Sequence, residues 1–175
     1  MALTGKKVVI LVENQYQDLE VWYPLMRLRE EKVKVIVAGT GSSKLYNGKY
    51  GYPIEVDCDA KDIRAEDIDG LIIPGGWAPD FLRRYGEVSK LVREADEKKK
   101  IIGSICHGAS VLVSAGILKG RTITCFKAIK DDVVYAGAKY VDEEVVVDGN
   151  LVTSRKPDDL PAFCRKIVEM LNNMP

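Results

Sequence analysis

The chain has 175 residues, the length of one α/β domain, and we expect residues 1–175 to form a single domain. Hydrophobic residues make up 46% of it and charged residues 30%, which excludes disordered and fibrous proteins. Its 26 basic and 26 acidic residues give a net charge of zero, so we expect no nucleic acid and no membrane as a partner. No apolar run approaches the ~18 residues of a membrane span. The first residues lack the layout of a signal peptide, so we expect a soluble cytoplasmic protein.

Strands and helices alternate along the sequence. The first half predicts, in order, a strand at Lys6–Val12, a helix at Leu19–Glu31 capped by Asp18, a strand at Val33–Ala38, a hairpin around Asn47-Gly48 and Gly51 ending near Val56, a strand at Gly70–Ile73 and a helix from Phe81 to about Lys99. The second half predicts a strand at Ile101–Ile105, a helix at His107–Leu118 closed by Gly120, a strand at Thr122–Phe126, a short helix at Asp131–Ala136, a hairpin of Val145–Val147 and Leu151–Ser154, and a helix at Asp158–Asn173. This alternation predicts an α/β fold with a doubly wound, mostly parallel sheet between two layers of helices.

Four cysteines and one histidine limit the chemistry of the chain. The cysteines are Cys58, Cys106, Cys125 and Cys164, and no two of them form a Cys-x-x-Cys pair. Because a structural zinc site needs four closely spaced Cys or His ligands, we expect no metal site and no cofactor. Scattered thiols are typical of reduced cytosolic proteins. Any step that requires an imidazole must use His107.

The segment around Cys106 has the pattern of a nucleophile elbow. An apolar strand runs into the cysteine, and the small residues Ser104 and Gly108 lie two positions to either side. The elbow would place the thiol at the carboxyl edge of the sheet and at a helix N-terminus, which lowers a thiol pKa. The alternative is that Cys106 is a buried small hydrophobic residue. Adjacent helical residues do not face each other, so His107 need not contact the sulfur; it is either a catalytic or a structural imidazole.

Two further features could complete a site at this edge. Gly75 and Gly76 end the strand Gly70–Ile73, and their backbone N–H groups would suit an oxyanion hole beside the thiol, although a plain strand-to-loop turn explains them equally. Glu20 lies in the first turn of the first helix, just after the first strand. It is either a carboxyl near the elbow or a partner of the helix dipole, and its position alone does not decide between them.

Several motifs occur together in a specific order. They are Asp18-Leu-Glu-Val-Trp-Tyr-Pro24, Gly48-Lys-Tyr-Gly-Tyr52, Ile73-Pro-Gly-Gly-Trp-Ala-Pro-Asp80, Ser104-Ile-Cys-His-Gly108, Lys130-Asp-Asp132, Val147-Asp-Gly-Asn150 and Thr153-Ser-Arg155. With them, essentially the whole chain resembles the ThiJ/PfpI superfamily and, within it, the PfpI-like branch. The resemblance implies a flavodoxin-like sandwich and a homo-oligomer, either a dimer or a higher assembly of dimers such as a hexamer.

The resemblance also implies roles for the site residues. Cys106 would be the nucleophile, with Glu20 hydrogen-bonded to its sulfur and the amides of Gly76 and His107 as the oxyanion hole. The acidic third member falls on Asp80, donated by a neighbouring subunit and paired with His107. Many relatives have glutamate at the position of Asp80.

The PfpI-like branch contains intracellular cysteine peptidases and deglycases that act on methylglyoxal or glyoxal adducts. The resemblance thus implies a cofactor-free hydrolase that acts on a small aldehyde adduct or on a peptide. The alternative is a redox-sensing or chaperone-like stress protein in which Cys106 oxidises to the sulfinic acid. A binding module with an incidental thiol is the third and least favoured class. Glutamine amidotransferases, which are distantly related, need a downstream histidine that this chain lacks.

Overall fold

The computed structural model describes residues 3–174. Its strands are β1 (Lys7–Leu11), β2 (Lys34–Gly39), β3 (Leu45–Asn47), β4 (Pro53–Glu55), β5 (Cys58–Asp59), β6 (Gly70–Ile73), β7 (Ile101–Ile105), β8 (Thr122–Ile123), β9 (Lys139–Tyr140), β10 (Val146–Asp148) and β11 (Leu151–Ser154). Its α-helices are α1 (Asp18–Glu30), α2 (Ala78–Leu82), α3 (Gly86–Glu97), α4 (Ala109–Ala115), α5 (Lys130–Tyr135) and α6 (Leu160–Asn173). None of the helices within residues 3–174 is both long and apolar enough to cross a membrane.

Seven strands form the central sheet, in the order β10-β11-β7-β6-β1-β2-β5. All neighbours are parallel except β10 and β11, which form the predicted antiparallel hairpin. Helices α1 and α6 pack on one face, and α3 and α4 pack on the other. The chain leaves β1 toward β2 on one side, while β6 lies on the other side. The carboxyl ends of β1 and β6 therefore flank the crevice where folds of this kind bind ligands.

The register of β6 and β7 sets the position of the elbow. Ile73 pairs with Ser104, so Gly75 and Cys106 each lie two residues beyond the last paired position. Both strands are fully buried, as their continuous apolar runs predict. Gly103 in β7 faces α6, where a Cβ would lie 2.8 Å from the Phe163 ring. The close packing of α6 on β7 thus fixes the strand that leads into Cys106.

The predicted helix from Phe81 to Lys99 is wrong in one respect, because it is two helices. Helix α2 ends at Leu82, and α3 begins at Gly86 after a turn in which Tyr85 is extended, with φ −100° and ψ 116°. Glycine is a poor helix-interior residue but is tolerated at a helix start. The break changes the direction of the chain, so that Leu82 of α2 and Val88 of α3 are both buried.

Two boundaries near the elbow also differ from the prediction. Cys106–Gly108 is a turn of 3-10 helix, and α4 ends at Ala115 because Gly116 adopts φ +73°, well before Gly120. The strand predicted at Thr122–Phe126 is only the two-residue β8. Beyond it, the Thr124 amide donates to the hydroxyl of Thr153, a side chain of β11, instead of extending a ladder.

Candidate active site

Cys106 lies at the turn between β7 and α4, in a backbone conformation that few residues other than glycine adopt. Its φ is +62°, and 7% of its surface is exposed. A Cβ on Gly108 would lie 2.5 Å from the carbonyl oxygen of Ile73 and 3.0 Å from Ser104 Oγ. A residue without a side chain is therefore required at position 108 by steric contact with β6 and β7, as the elbow pattern predicts.

Glu20 reaches the elbow from the first turn of α1. Its side chain is fully buried, and its Oε2 atom accepts a hydrogen bond of 2.7 Å from the Gly75 amide. The carboxyl lies beside the Cys106 thiol, since a Cβ on Gly75 would touch both Glu20 Oε2 and Cys106 Sγ. Of the two readings that the sequence left open for Glu20, the structure supports the carboxyl beside the elbow.

The N-cap of α1 is Gln17 and not Asp18, which corrects the sequence prediction. Gln17 Oε1 accepts from the amides of Leu19 and Glu20, at 2.7 and 3.2 Å. Asp18 instead accepts from the amides of Tyr50 and Tyr52, at 3.0 and 3.1 Å. Because the Asp18 carboxylate accepts hydrogen bonds from the β3–β4 loop, it does not cap α1.

Burial raises the pKa of both groups at the centre of the site. The pKa of Glu20 rises to about 7 because its carboxyl is desolvated, although the Gly75 amide and the thiol partly offset this. The pKa of the Cys106 thiol rises to about 12, mainly through burial and then through the Glu20 charge. The predicted lowering of the thiol pKa by a helix N-terminus is therefore wrong: the short 3-10 turn does not outweigh burial beside a carboxylate.

Two backbone N–H groups oppose the rise in the pKa of the Cys106 thiol. The amides of Gly76 and His107 both hydrogen-bond toward the sulfur and lower its pKa. Gly75 allows the close approach, since a Cβ there would lie 2.6 Å from Glu20 Oε2 and 2.8 Å from Cys106 Sγ. Donors directed at the sulfur stabilise a thiolate, and the same donors suit an oxygen that becomes negative when the sulfur adds to a carbonyl.

His107 contacts the sulfur, although its sequence position did not require this. Its Nδ1 atom lies 3.3 Å from Cys106 Sγ. The imidazole stacks on Phe126 at a centroid distance of 4.9 Å, and Trp77 flanks it at 6.3 Å. Burial and then the charge of Lys49 lower the pKa of His107, so the ring is neutral near pH 7 and can accept a proton.

A cleft of about 260 Å³ reaches these groups. Its lining combines Glu20, Gly76, Cys106 and His107 with six residues for which no role was predicted, namely Gln17, Lys49, Tyr50, Trp77, Phe126 and Pro157. Most of them lie in loops that follow strands, where a single sequence carries little periodic signal. Two motifs noted in the sequence contain three of them: Gly48-Lys-Tyr-Gly-Tyr52 includes Lys49 and Tyr50, and Ile73-Pro-Gly-Gly-Trp-Ala-Pro-Asp80 includes Trp77.

Asp80 does not join the site of its own chain. It lies in the first turn of α2, with most of its side chain exposed, and forms an ion pair with Arg84 one turn later. It does not line the cleft. Within residues 3–174 no acceptor or carboxylate contacts the Nε2 atom of His107.

The described residues contain no cluster of three or more His, Cys, Asp or Glu side chains placed to hold a metal ion. The four cysteines are all free thiols.

Comparison with known proteins agrees with this geometry. The family model of the DJ-1/PfpI family matches residues 6–170. The chain belongs to the DJ-1/PfpI family. This confirms the resemblance inferred from the motifs.

Relatives of similar length carry two kinds of name. Deglycase TK1284 of Thermococcus kodakarensis is 44% identical over 94% of this chain and 99% of its own length. YraA of Bacillus subtilis, named as a candidate cysteine protease, is 40% identical over 95% of this chain and 99% of its own. The chain thus spans the whole length of members of both descriptions.

A solved structure supports the fold. A two-domain protein of Anabaena variabilis, with a DJ-1/ThiJ/PfpI-like and a ferritin-like domain, superposes with a TM-score of 0.94 at 40% identity. The match covers 95% of this chain and 48% of the Anabaena chain. The likeness confirms the flavodoxin-like sandwich with a mostly parallel central sheet.

Proposed function

We propose that this DJ-1/PfpI protein is a cofactor-free hydrolase that uses Cys106 as its nucleophile, and that it acts as a deglycase on methylglyoxal or glyoxal adducts. The observation that carries this proposal is the arrangement around one sulfur atom. A carboxyl, an imidazole and two backbone N–H groups converge on Cys106 Sγ. Nucleophile, proton carriers and anion-stabilising donors are the components that a covalent carbonyl reaction requires.

Glu20 and Cys106 act as a coupled pair. Two negative charges this close are unfavourable, so the pair keeps one proton over a wide range of pH. That proton lies on either the carboxyl or the thiol. The form with protonated Glu20 is the reactive one, since it contains the thiolate without a neighbouring negative charge. The amides of Gly76 and His107 stabilise the thiolate further.

The same components handle the carbonyl. The thiolate adds to the carbonyl carbon, the oxygen becomes negative and is held by the amides of Gly76 and His107, and Glu20 or His107 returns a proton to it. The net deglycation adds one water and releases the free amine or thiol together with a hydroxy acid. The small cleft of about 260 Å³ favours such an adduct over a long peptide.

A cysteine peptidase is a second form of the same chemistry. Addition to a peptide carbonyl would expel an amine, and water would then hydrolyse the thioester. The name of the Bacillus relative supports this reading. A redox-sensing role has its own support, because the raised pKa of Glu20 keeps a carboxyl O–H beside the sulfur that would stabilise a sulfinate.

We further propose that the protein works as a homodimer or higher oligomer in the cytoplasm. In such an assembly Asp80 of one subunit would face His107 of the next. Two observations support this arrangement: Asp80 is exposed and outside its own cleft, and His107 has no acidic partner in the described chain. Four free thiols are typical of a reducing compartment.

The proposal is tested with the purified protein. Turnover of a methylglyoxal adduct of N-acetylcysteine and of a fluorogenic peptide is measured beside Cys106→Ser. We expect adduct turnover that the variant lacks. Turnover of neither substrate, combined with stoichiometric oxidation of Cys106 by mild peroxide in mass spectrometry, would favour the redox role instead.

A further inference from the structure

Two polar side chains at the mouth of the cleft have no role in the proposed chemistry. Gln17 and Lys49 both line the space that ends at Cys106. They come from different parts of the chain, Gln17 from the start of α1 and Lys49 from the β3–β4 loop. The contacts of each side chain within the protein show which of its polar groups is available to a bound molecule.

The amide of Gln17 is oriented by its role as N-cap. Its Oε1 atom accepts from two backbone N–H groups, those of Leu19 and Glu20. The oxygen is therefore committed to the helix, and the NH₂ group, which can only donate, is the end left for the cleft. No acceptor within residues 3–174 takes a hydrogen bond from it. Gln17 thus presents a positioned donor.

Lys49 is held by its backbone, and its ammonium is not neutralised. Its amide donates to the Tyr16 carbonyl at 2.8 Å, and the carboxylate of Asp18 fastens the next residue, Tyr50. The Nζ atom lies 5.4 Å from the centre of the Tyr50 ring. Among the described residues no carboxylate lies within ion-pair distance of it. Its charge lowers the pKa of both Glu20 and His107, so its field reaches the floor of the cleft.

The other titratable groups that face the cleft do not cancel this charge. His107 is neutral near pH 7 because burial lowers its pKa, and burial also raises the pKa of the Cys106 thiol and so favours its uncharged form. Glu20 is the one acidic side chain in the lining; with a pKa of about 7, it is part protonated at neutral pH. It is also fully buried and engaged by Gly75. The exposed ammonium of Lys49 and the NH₂ group of Gln17, which can only donate, are therefore the main polar groups at the mouth of the cleft.

We propose that Gln17 and Lys49 form a subsite for a carboxylate carried by the same small molecule as the carbonyl that Cys106 attacks. An amide N–H and an ammonium match the two oxygens of a carboxylate. The inference rests on the proposed function and narrows it. Adducts of free amino acids and other carboxylate-bearing compounds are preferred over neutral adducts of the same size.

The subsite is tested without turnover by alkylating Cys106 with iodoacetate and with iodoacetamide. In both reactions the thiolate displaces iodide and forms one S–C bond, and the reagents differ only in carrying a carboxylate or an amide. The ratio of the two rate constants cancels any change in the thiolate fraction. Mass spectrometry of the Cys106 peptide gives each rate.

Four variants define the expected result. Lys49→Met removes the charge, and Gln17→Glu keeps a cap oxygen for α1 while replacing the donor with a negative group. Each should lower the iodoacetate-to-iodoacetamide ratio about fivefold, the size expected for one partly screened charge contact. Lys49→Arg should retain the ratio. Lys44→Met, which removes an exposed lysine outside the cleft from the same hairpin region, should leave it unchanged.

A second measurement uses turnover. The KM for the methylglyoxal adduct of N-acetylcysteine should be lower than that for the adduct of N-acetylcysteine amide, and Lys49→Met should abolish this difference in KM. A ratio and a KM preference that survive both Lys49→Met and Gln17→Glu would overturn the subsite. Charge-selective alkylation without turnover of either adduct would instead retain the subsite and reject the hydrolase.

Discussion

The Nδ1 atom of His107 lies 3.3 Å from the Sγ atom of Cys106, its neighbour in the chain. Side chains of consecutive helical residues point apart, but Cys106, at the start of the 3-10 turn, has φ +62°, which a regular right-handed helix does not contain. The turn therefore brings the two side chains to the same side. With Glu20 also at the sulfur, Cys106 has two separate proton partners.

Glu20→Gln should shift the alkylation of Cys106 to lower pH. In the wild-type protein the charge of Glu20 raises the pKa of the thiol, and this carboxyl is mostly ionised above pH 7. An uncharged amide does not oppose the thiolate, so more thiolate forms at the same pH. The iodoacetamide rate constant measured from pH 5 to pH 10 checks this. Superimposable profiles would reduce Glu20 to a structural residue.

The same substitution should stabilise the fold in a pH-dependent way. Burial raises the pKa of Glu20 from 4.5 to about 7, so between these values the folded protein binds a proton that the unfolded chain does not. Stability therefore falls as pH rises through this window, by roughly 3 kcal/mol in total above pH 7. Glu20→Gln removes this destabilisation. Urea unfolding should show a gain at pH 8 that is absent near pH 4.5, whereas an equal change at both pH values would contradict the assignment.

Gly75→Ala should impair activity by a tenfold or larger loss in kcat. The added Cβ would lie 2.6 Å from Glu20 Oε2 and 2.8 Å from Cys106 Sγ, so the pair must separate. Overpacking of this kind also costs about 1–3 kcal/mol of stability. Gly86→Ala is the matched control, because a Cβ there meets nothing within 4 Å. Circular dichroism establishes folding, and a fully active Gly75→Ala protein would show that the contact is not needed.

Cys106 should be the first of the four thiols to react with limiting iodoacetamide. Burial raises the pKa of Cys125 and of Cys164 to about 12, and neither has what Cys106 has, namely two backbone N–H groups that lower its pKa and an imidazole nitrogen 3.3 Å from its sulfur. Cys58 is more accessible, but burial and then nearby aspartates raise its pKa as well. Peptide mapping near pH 7.5 identifies the modified thiol. Labelling of Cys58 before Cys106 would argue against the nucleophile assignment.

Asp80 should act on His107 across a subunit boundary. Cys106→Ser and Asp80→Ala are each expected to be nearly inactive, and refolding them together should restore part of the activity at interfaces that combine intact residues. Arg84→Ala provides the control, since it removes the partner of Asp80 within the same chain. If Arg84→Ala is as damaging as Asp80→Ala and verified mixed oligomers stay inactive, Asp80 has only a structural role.

The sequence by itself determined the features that depend on local pattern. Buried β-branched runs specified β1, β6 and β7, because parallel strands covered on both faces need continuous apolar side chains. Turn residues specified both hairpins. The small residues Ser104 and Gly108 indicated the elbow, and at Gly108 a Cβ would collide with the end of β6.

Tertiary structure decided what depends on distant partners. Gln17 caps α1 because the β3–β4 loop draws Asp18 away, and the helix after β6 is split so that both halves can be buried. The thiol pKa is raised rather than lowered because burial and Glu20 outweigh a short turn of helix. Lys49 reaches the cleft only because the hairpin folds back on Tyr16. These relationships join residues far apart in the chain, and local pattern carries no information about which of them meet.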